Sequence, residues 1–106
     1  MKAISSKRAR ALSIPNSVKL IVNRRDGGRC VYCGRIGRPE AHYISRAKGG
    51  LGVPQNIITL CRECHDRYDN GDRQDREGMR EYFRDYLHAY YDGWNENNLI
   101  YHKEGL

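Results

Sequence analysis

Residues 40–71 read EAHYISRAKGGLGVPQNIITLCRECHDRYDNG, and this stretch decides the fold. Residues 40–44 predict a short strand. Gly49, Gly50, Gly52 and Pro54 then punctuate a long loop. Asn56-Ile57-Ile58-Thr59-Leu60 is β-branched and apolar and predicts a second strand. Residues 61–69 predict a helix that Asn70-Gly71 closes. Strand, loop, strand and helix in this order make a small α+β unit.

Just upstream, Gly27-Gly28-Arg29-Cys30-Val31-Tyr32-Cys33-Gly34 predicts a tight knuckle, its glycines letting the backbone fold back so that two sulfurs face one point. Cys30-x-x-Cys33 and Cys61-x-x-Cys64 are separated by 27 residues. Two such pairs complete a tetrahedral Zn²⁺ site with sulfur ligands at about 2.3 Å and no open position, so the ion is expected to be structural. It ties the knuckle to the helix and compensates for a small core. Two disulfides or unpaired thiols are the alternative, and a reducing compartment disfavours the disulfides. His65 follows Cys64 directly, and neighbouring helical residues point roughly 100° apart. It is therefore expected to face away from the sulfurs, either as a surface histidine or as a ligand of a second ion.

Further out, residues 1–14 are basic and without periodicity, and predict a flexible arm. Pro15 followed by Asn16 or Ser17 starts a helix, with Val18, Ile21 and Val22 as its apolar stripe and Asp26-Gly27-Gly28 as its stop. Toward the other end, Met79, Tyr82, Phe83, Tyr86, Leu87, Tyr90 and Tyr91 recur on one helical face. Such tyrosines are expected in a core or interface rather than stacked on bases. Trp94 and Leu99-Ile100-Tyr101 are expected to pack back on this helix. The chain divides into the arm, a core over residues 15–71, and an amphipathic helical extension over residues 72–106 that packs on it. His88 and His102 fit no ligand spacing and are read as surface residues.

The chain has 106 residues and a formal charge of +6. That size excludes a multidomain enzyme, and no apolar run suffices for a membrane span. No apolar run follows the charges at the N-terminus, so a cytoplasmic setting is expected. Residues 1–53 hold twelve Lys and Arg against two acids, whereas residues 54–106 hold seven against eleven. A half this basic suits a polyanion such as nucleic acid.

Several of these residues together resemble the HNH endonuclease family, whose active site is a β-β-α-metal unit. They are His42, Gly49-Gly50 seven positions on, Asn56, Leu60-Cys61-Arg62-Glu63-Cys64-His65, and the upstream run from Arg25 to Gly34. The resemblance covers roughly residues 15–70 and is closest to small stand-alone members common in bacteriophages. It implies a zinc-stabilised β-β-α-metal core flanked by an N-terminal helix and a long C-terminal helix. It also implies a metal-dependent DNA endonuclease that leaves a 5′-phosphate and a 3′-hydroxyl, in a bacterial host if phage-encoded. His42 is then the general base, and His65 holds the single catalytic divalent cation (Mg²⁺, Mn²⁺, Ni²⁺ or Zn²⁺). Asn56 either orients the loop that carries the base or completes the metal shell. An imidazole suits the base role because it titrates near ~6.5. DNA is the expected partner, and a phage packaging protein of the terminase type is a further one.

One position departs from the family pattern. The residue before the catalytic histidine is usually Asp or His, and here it is Ala41. Asp69 lies four residues after His65, on the same helical face, with the spacing for a carboxylate to share an ion with it. A register with Tyr43 in the base position and His42 as ligand is open too, but it shifts the Gly49 spacing by one. Arg25, Arg29, Arg46 and Lys48 are the expected phosphate contacts. The competing reading is a catalytically weak, zinc-stabilised DNA-binding or packaging accessory module.

Overall fold

A computed structural model describes residues 6–102. Two strands, β1 (Arg38–His42) and β2 (Ile57–Leu60), pair antiparallel. Ala41 stands opposite Ile58 and His42 opposite Ile57. The register slips between Arg38 and Ala41, where Pro39 has no N–H to give the ladder. β1 therefore begins and ends two residues earlier than the sequence predicts. The chain beyond His42 still donates one bond across, from the Tyr43 N–H to the Asn56 carbonyl (2.7 Å), and then leaves the sheet.

Helix α1 (Lys7–Leu12) occupies part of the stretch expected to be an irregular arm. The Ser6 hydroxyl caps it, and its last residue, Leu12, is buried. Residues 1–5 of the expected arm lie outside the described residues. Helix α2 (Asn16–Asp26) starts after Pro15 and stops at Gly27, whose φ of 67° is left-handed. Of its expected stripe only Val22 is fully buried, and Ile21 is half exposed.

Helix α3 (Arg62–Asn70) follows β2 directly. Helix α4 (Arg73–Tyr90) is capped by the Asp72 carboxylate and buries Met79, Phe83 and Leu87. These three join Ala41, Tyr43, Ile44, Ile58, Leu60 and Leu99 in the main core. Tyr82 and Tyr90 of the expected apolar stripe are about half exposed. Trp94 packs on Tyr43 with ring centroids 5.6 Å apart and donates to the Gln55 carbonyl (2.9 Å). A short 3-10 turn at Glu96–Leu99 brings Leu99 into the core. The result is a small α+β unit in which one hairpin and one following helix form the centre. No helix among the described residues is long and apolar enough to cross a membrane.

An ion pair joins these layers. Arg25 and Asp26 have side chains 2% and 0% exposed. Arg25 grips the Asp26 carboxylate through two nitrogens and also donates to the carbonyls of Pro54 and Ile57 and to the Tyr91 hydroxyl. Asp26 in turn accepts from the Thr59 N–H and the Tyr86 hydroxyl. Arg25 is thus no phosphate contact, contrary to the expectation from its charge. A fully partnered guanidinium this deep is part of the scaffold.

Candidate active site and metal centre

Two knuckles bring the cysteines together. The Cys30 sulfur accepts from the Cys33 N–H (3.4 Å), and the Gly34 N–H returns to the Cys30 carbonyl (2.9 Å). The Cys61 sulfur repeats this at the N-cap of α3, accepting from the Cys64 N–H (3.4 Å). Cys61 therefore precedes the helix it was expected to begin. All four sulfurs lie within 4.8 Å of one another, and none is in a disulfide. Cys33 and Cys61 sulfurs are 3.6 Å apart, near the roughly 3.8 Å edge of a tetrahedron with Zn–S about 2.3 Å. Burial tends to raise the Cys30 thiol, but N–H donors from Cys61, Cys33 and Tyr32 outweigh it and bring it down to about 7. Burial and the neighbouring sulfurs push Cys64 up. A cation held by the four sulfurs would relieve that crowding, because it binds thiolates. The cluster fits a structural metal such as zinc. Among the described residues no other three or more such ligands converge this closely.

His42 ends β1 and is half buried. Its Nε2 lies 2.8 Å from the Leu12 carbonyl oxygen. A carbonyl only accepts, so Nε2 carries the proton and Nδ1 keeps a lone pair. Burial holds the imidazole below its ordinary pKa. The Leu12 hydrogen bond opposes that shift, and the Arg46 charge adds to it; Asp69 and His65 are also felt at the ring.

Asn56 is fully buried. Its Oδ1 accepts from the Ile44 N–H (2.8 Å), and its Nδ2 donates to the carbonyls of Ile44 (3.1 Å) and Leu51 (2.9 Å). The amide is occupied on both sides by the backbone of the loop that follows His42. This geometry suits loop positioning, since both polar atoms of the amide already have backbone partners. Gly50 makes the clamp possible, since a Cβ there would overlap the Ile44 carbonyl.

His65 and Asp69 sit one turn apart on α3, with Nε2 and Oδ2 3.2 Å apart and both side chains partly exposed. Two donors at that separation can share one cation at about 2.0–2.2 Å from each. Ala41 is wholly buried and offers nothing. Glu40 is paired with Lys19 of α2 (3.5 Å).

A groove of about 290 Å³ runs between the hairpin loop and α4. His42, Lys48 and Asp69 border it, together with Arg73, Arg76 and Arg80 of α4. Arg46 is exposed in the same loop, and Arg29 is exposed on the first knuckle, donating to the Gly34 carbonyl (3.3 Å). His88 and His102 are exposed, as expected. Two features escaped the sequence: the Leu12 carbonyl, which as a main-chain group has no signature, and the α4 arginines, hidden among acids.

Residues 30–71 match the family model of the HNH endonuclease, a stretch that holds all four cysteines, the hairpin and α3. The match points to a nuclease or DNA-related function. No curated protein and no solved structure matches the chain.

Proposed function

We propose that the protein is a divalent-metal-dependent DNA endonuclease working by a one-metal mechanism. The observation that carries this reading is the imidazole of His42, fixed in one tautomer by Leu12 at a groove it shares with Asp69. His42 Nδ1 takes the proton of the attacking water, and its lowered pKa keeps it unprotonated at neutral pH. The water oxygen bonds to phosphorus as the bond to the 3′-oxygen breaks, and the departing 3′-oxygen takes a proton from solvent water, leaving a 5′-phosphate and a 3′-hydroxyl. Leu12 keeps the ring from rotating, and Asn56 holds the loop behind it. His65 and Asp69 would hold the catalytic cation, which supplies charge relief to the phosphoryl and leaving oxygens. With only two protein ligands such an ion would keep positions open for water and phosphate.

A supercoiled-plasmid assay with Mg²⁺, Mn²⁺, Ni²⁺ or Zn²⁺ tests this. Nicking is expected, with loss in His42→Ala and a raised metal requirement in Asp69→Ala, while DNA binding and zinc content survive. Absence of nicking with every ion overturns the reading.

The buried, ligand-free Ala41 favours a second reading, a zinc-stabilised DNA-binding or phage-packaging accessory module that docks a terminase-type protein. It predicts DNA binding that His42→Ala leaves intact and no cleavage by the parent protein. Either activity belongs in the reducing cytoplasm, of a bacterial host if phage-encoded, where four thiols persist.

A further inference from the structure

Helix α4 lies in the half of the chain with excess acid, yet the wall it presents to the groove is basic. Arg73, Arg76 and Arg80 border the groove on one side and Lys48 on the other, against two acids, Asp69 and Glu77. The arginines recur at i, i+3 and i+7 and so share one helical face. Their span along the axis is about 10 Å, the rise of roughly three phosphates on one DNA strand.

Their pairings leave them available. The side chains of Arg76 and Lys48 have no ion pair or hydrogen bond among the described residues. Arg73 meets Glu77 (3.0 Å) with both side chains largely exposed, a weak surface pair that a phosphate can displace. Arg80 is held in place instead. It donates to Glu96 (3.2 Å), which also accepts from the Tyr43 hydroxyl, and it lies 5.7 Å from the Tyr43 ring centroid. A guanidinium anchored this way keeps further N–H groups in fixed directions.

The groove opens on His42 and Asp69, so a polyanion seated along α4 also passes the imidazole. We propose that Arg73, Arg76 and Arg80, with Lys48 opposite, grip the phosphates that flank the scissile one on the cleaved strand. This rests on the nuclease reading for the identity of the strand. The contacts are to backbone and carry no base information. They set where along the strand His42 meets it.

The test is binding of the full chain to a short DNA duplex, without added divalent ion, followed by fluorescence anisotropy over a range of salt. Arg76→Ala and Arg73→Ala are each expected to weaken binding roughly five- to tenfold at moderate salt. Each is also expected to lower the salt slope by about one. Arg76→Lys restores most of the affinity. Arg24→Ala, at an exposed position of α2 outside the groove, leaves both quantities unchanged. Equal losses in Arg24→Ala and Arg76→Ala overturn the proposal, since general charge then explains them. So does wild-type binding by Arg73→Ala and Arg76→Ala. If the arginine effects appear and the parent never nicks a plasmid, the groove stands and the nuclease reading falls. If nicking proceeds and the two substitutions change nothing, only the groove falls.

Discussion

The Nε2 atom of His42 lies 2.8 Å from the carbonyl oxygen of Leu12, thirty positions earlier. The family match begins at residue 30, so the partner of the proposed base comes from outside the matched stretch. Burial and the Arg46 charge lower the pKa of this ring, against the Leu12 bond. A lowered pKa means that the neutral, proton-accepting form persists into more acid solution. The acid limb of the nicking rate is therefore expected below histidine's ordinary value of about 6.5. Arg46→Ala removes a charge that disfavours the imidazolium, so its limb moves to higher pH. Initial nicking rates against pH for both proteins check the position and the direction.

Asn56→Ala strips partners from the Ile44 N–H and from two carbonyls around a fully buried side chain. Each orphaned group costs about 1–3 kcal/mol. Asn56→Asp is expected to be worse, because its carboxylate faces the carbonyls of Ile44 and Leu51. Urea unfolding midpoints rank the three proteins, and an Asn56→Asp midpoint at or above that of Asn56→Ala contradicts the clamp.

Asp26→Ala leaves Arg25 charged and buried, a change that costs about 3–5 kcal/mol. The pair also sets an acid limit. Burial tends to raise the Asp26 pKa, but hydrogen bonds from Arg25 and Tyr86, the Arg25 charge and the Thr59 N–H bring it below the ordinary 3.8. The folded value thus lies under the unfolded one. Its contribution is complete above about 4 and is withdrawn as pH falls further. Thermal melts of parent and Asp26→Ala between neutral and acid pH are expected to converge at the acid end.

Removal of the metal from the four sulfurs is expected to unfold the first knuckle and the start of α3 together. Metal analysis should find one zinc per chain. A chelator should abolish near-ultraviolet ellipticity, and added zinc should restore it. Retention of the native spectrum after complete metal loss contradicts a structural role.

The strand, loop, strand, helix order was legible because each boundary carries a local signal: β-branched runs, glycines, Asn70-Gly71. The cysteine cluster was legible because two pairs at short spacing leave few geometries. Arg25 was not, since charge in a sequence looks the same whether solvated or enclosed; only tertiary partners such as Tyr91 and Ile57 distinguish the cases. The α1 helix was missed because its six residues are held by the Ser6 cap and the burial of Leu12, not by periodicity. In α4 the acids at 75, 77, 81 and 85 cancel the arginines in any count of charge. Only the direction of the helix relative to His42 separates the basic side.

The reach of Leu12 and the Arg25–Asp26 pair across the hairpin bears on protein engineering. Excising residues 30–71 as a minimal cassette, or transplanting them into another host scaffold, would carry over every sulfur. It would discard the acceptor that orients the imidazole and the bracket that joins the sheet to its outer helices. A graft that keeps both must include Ser6, which caps the helix ending in Leu12, and run through Leu99.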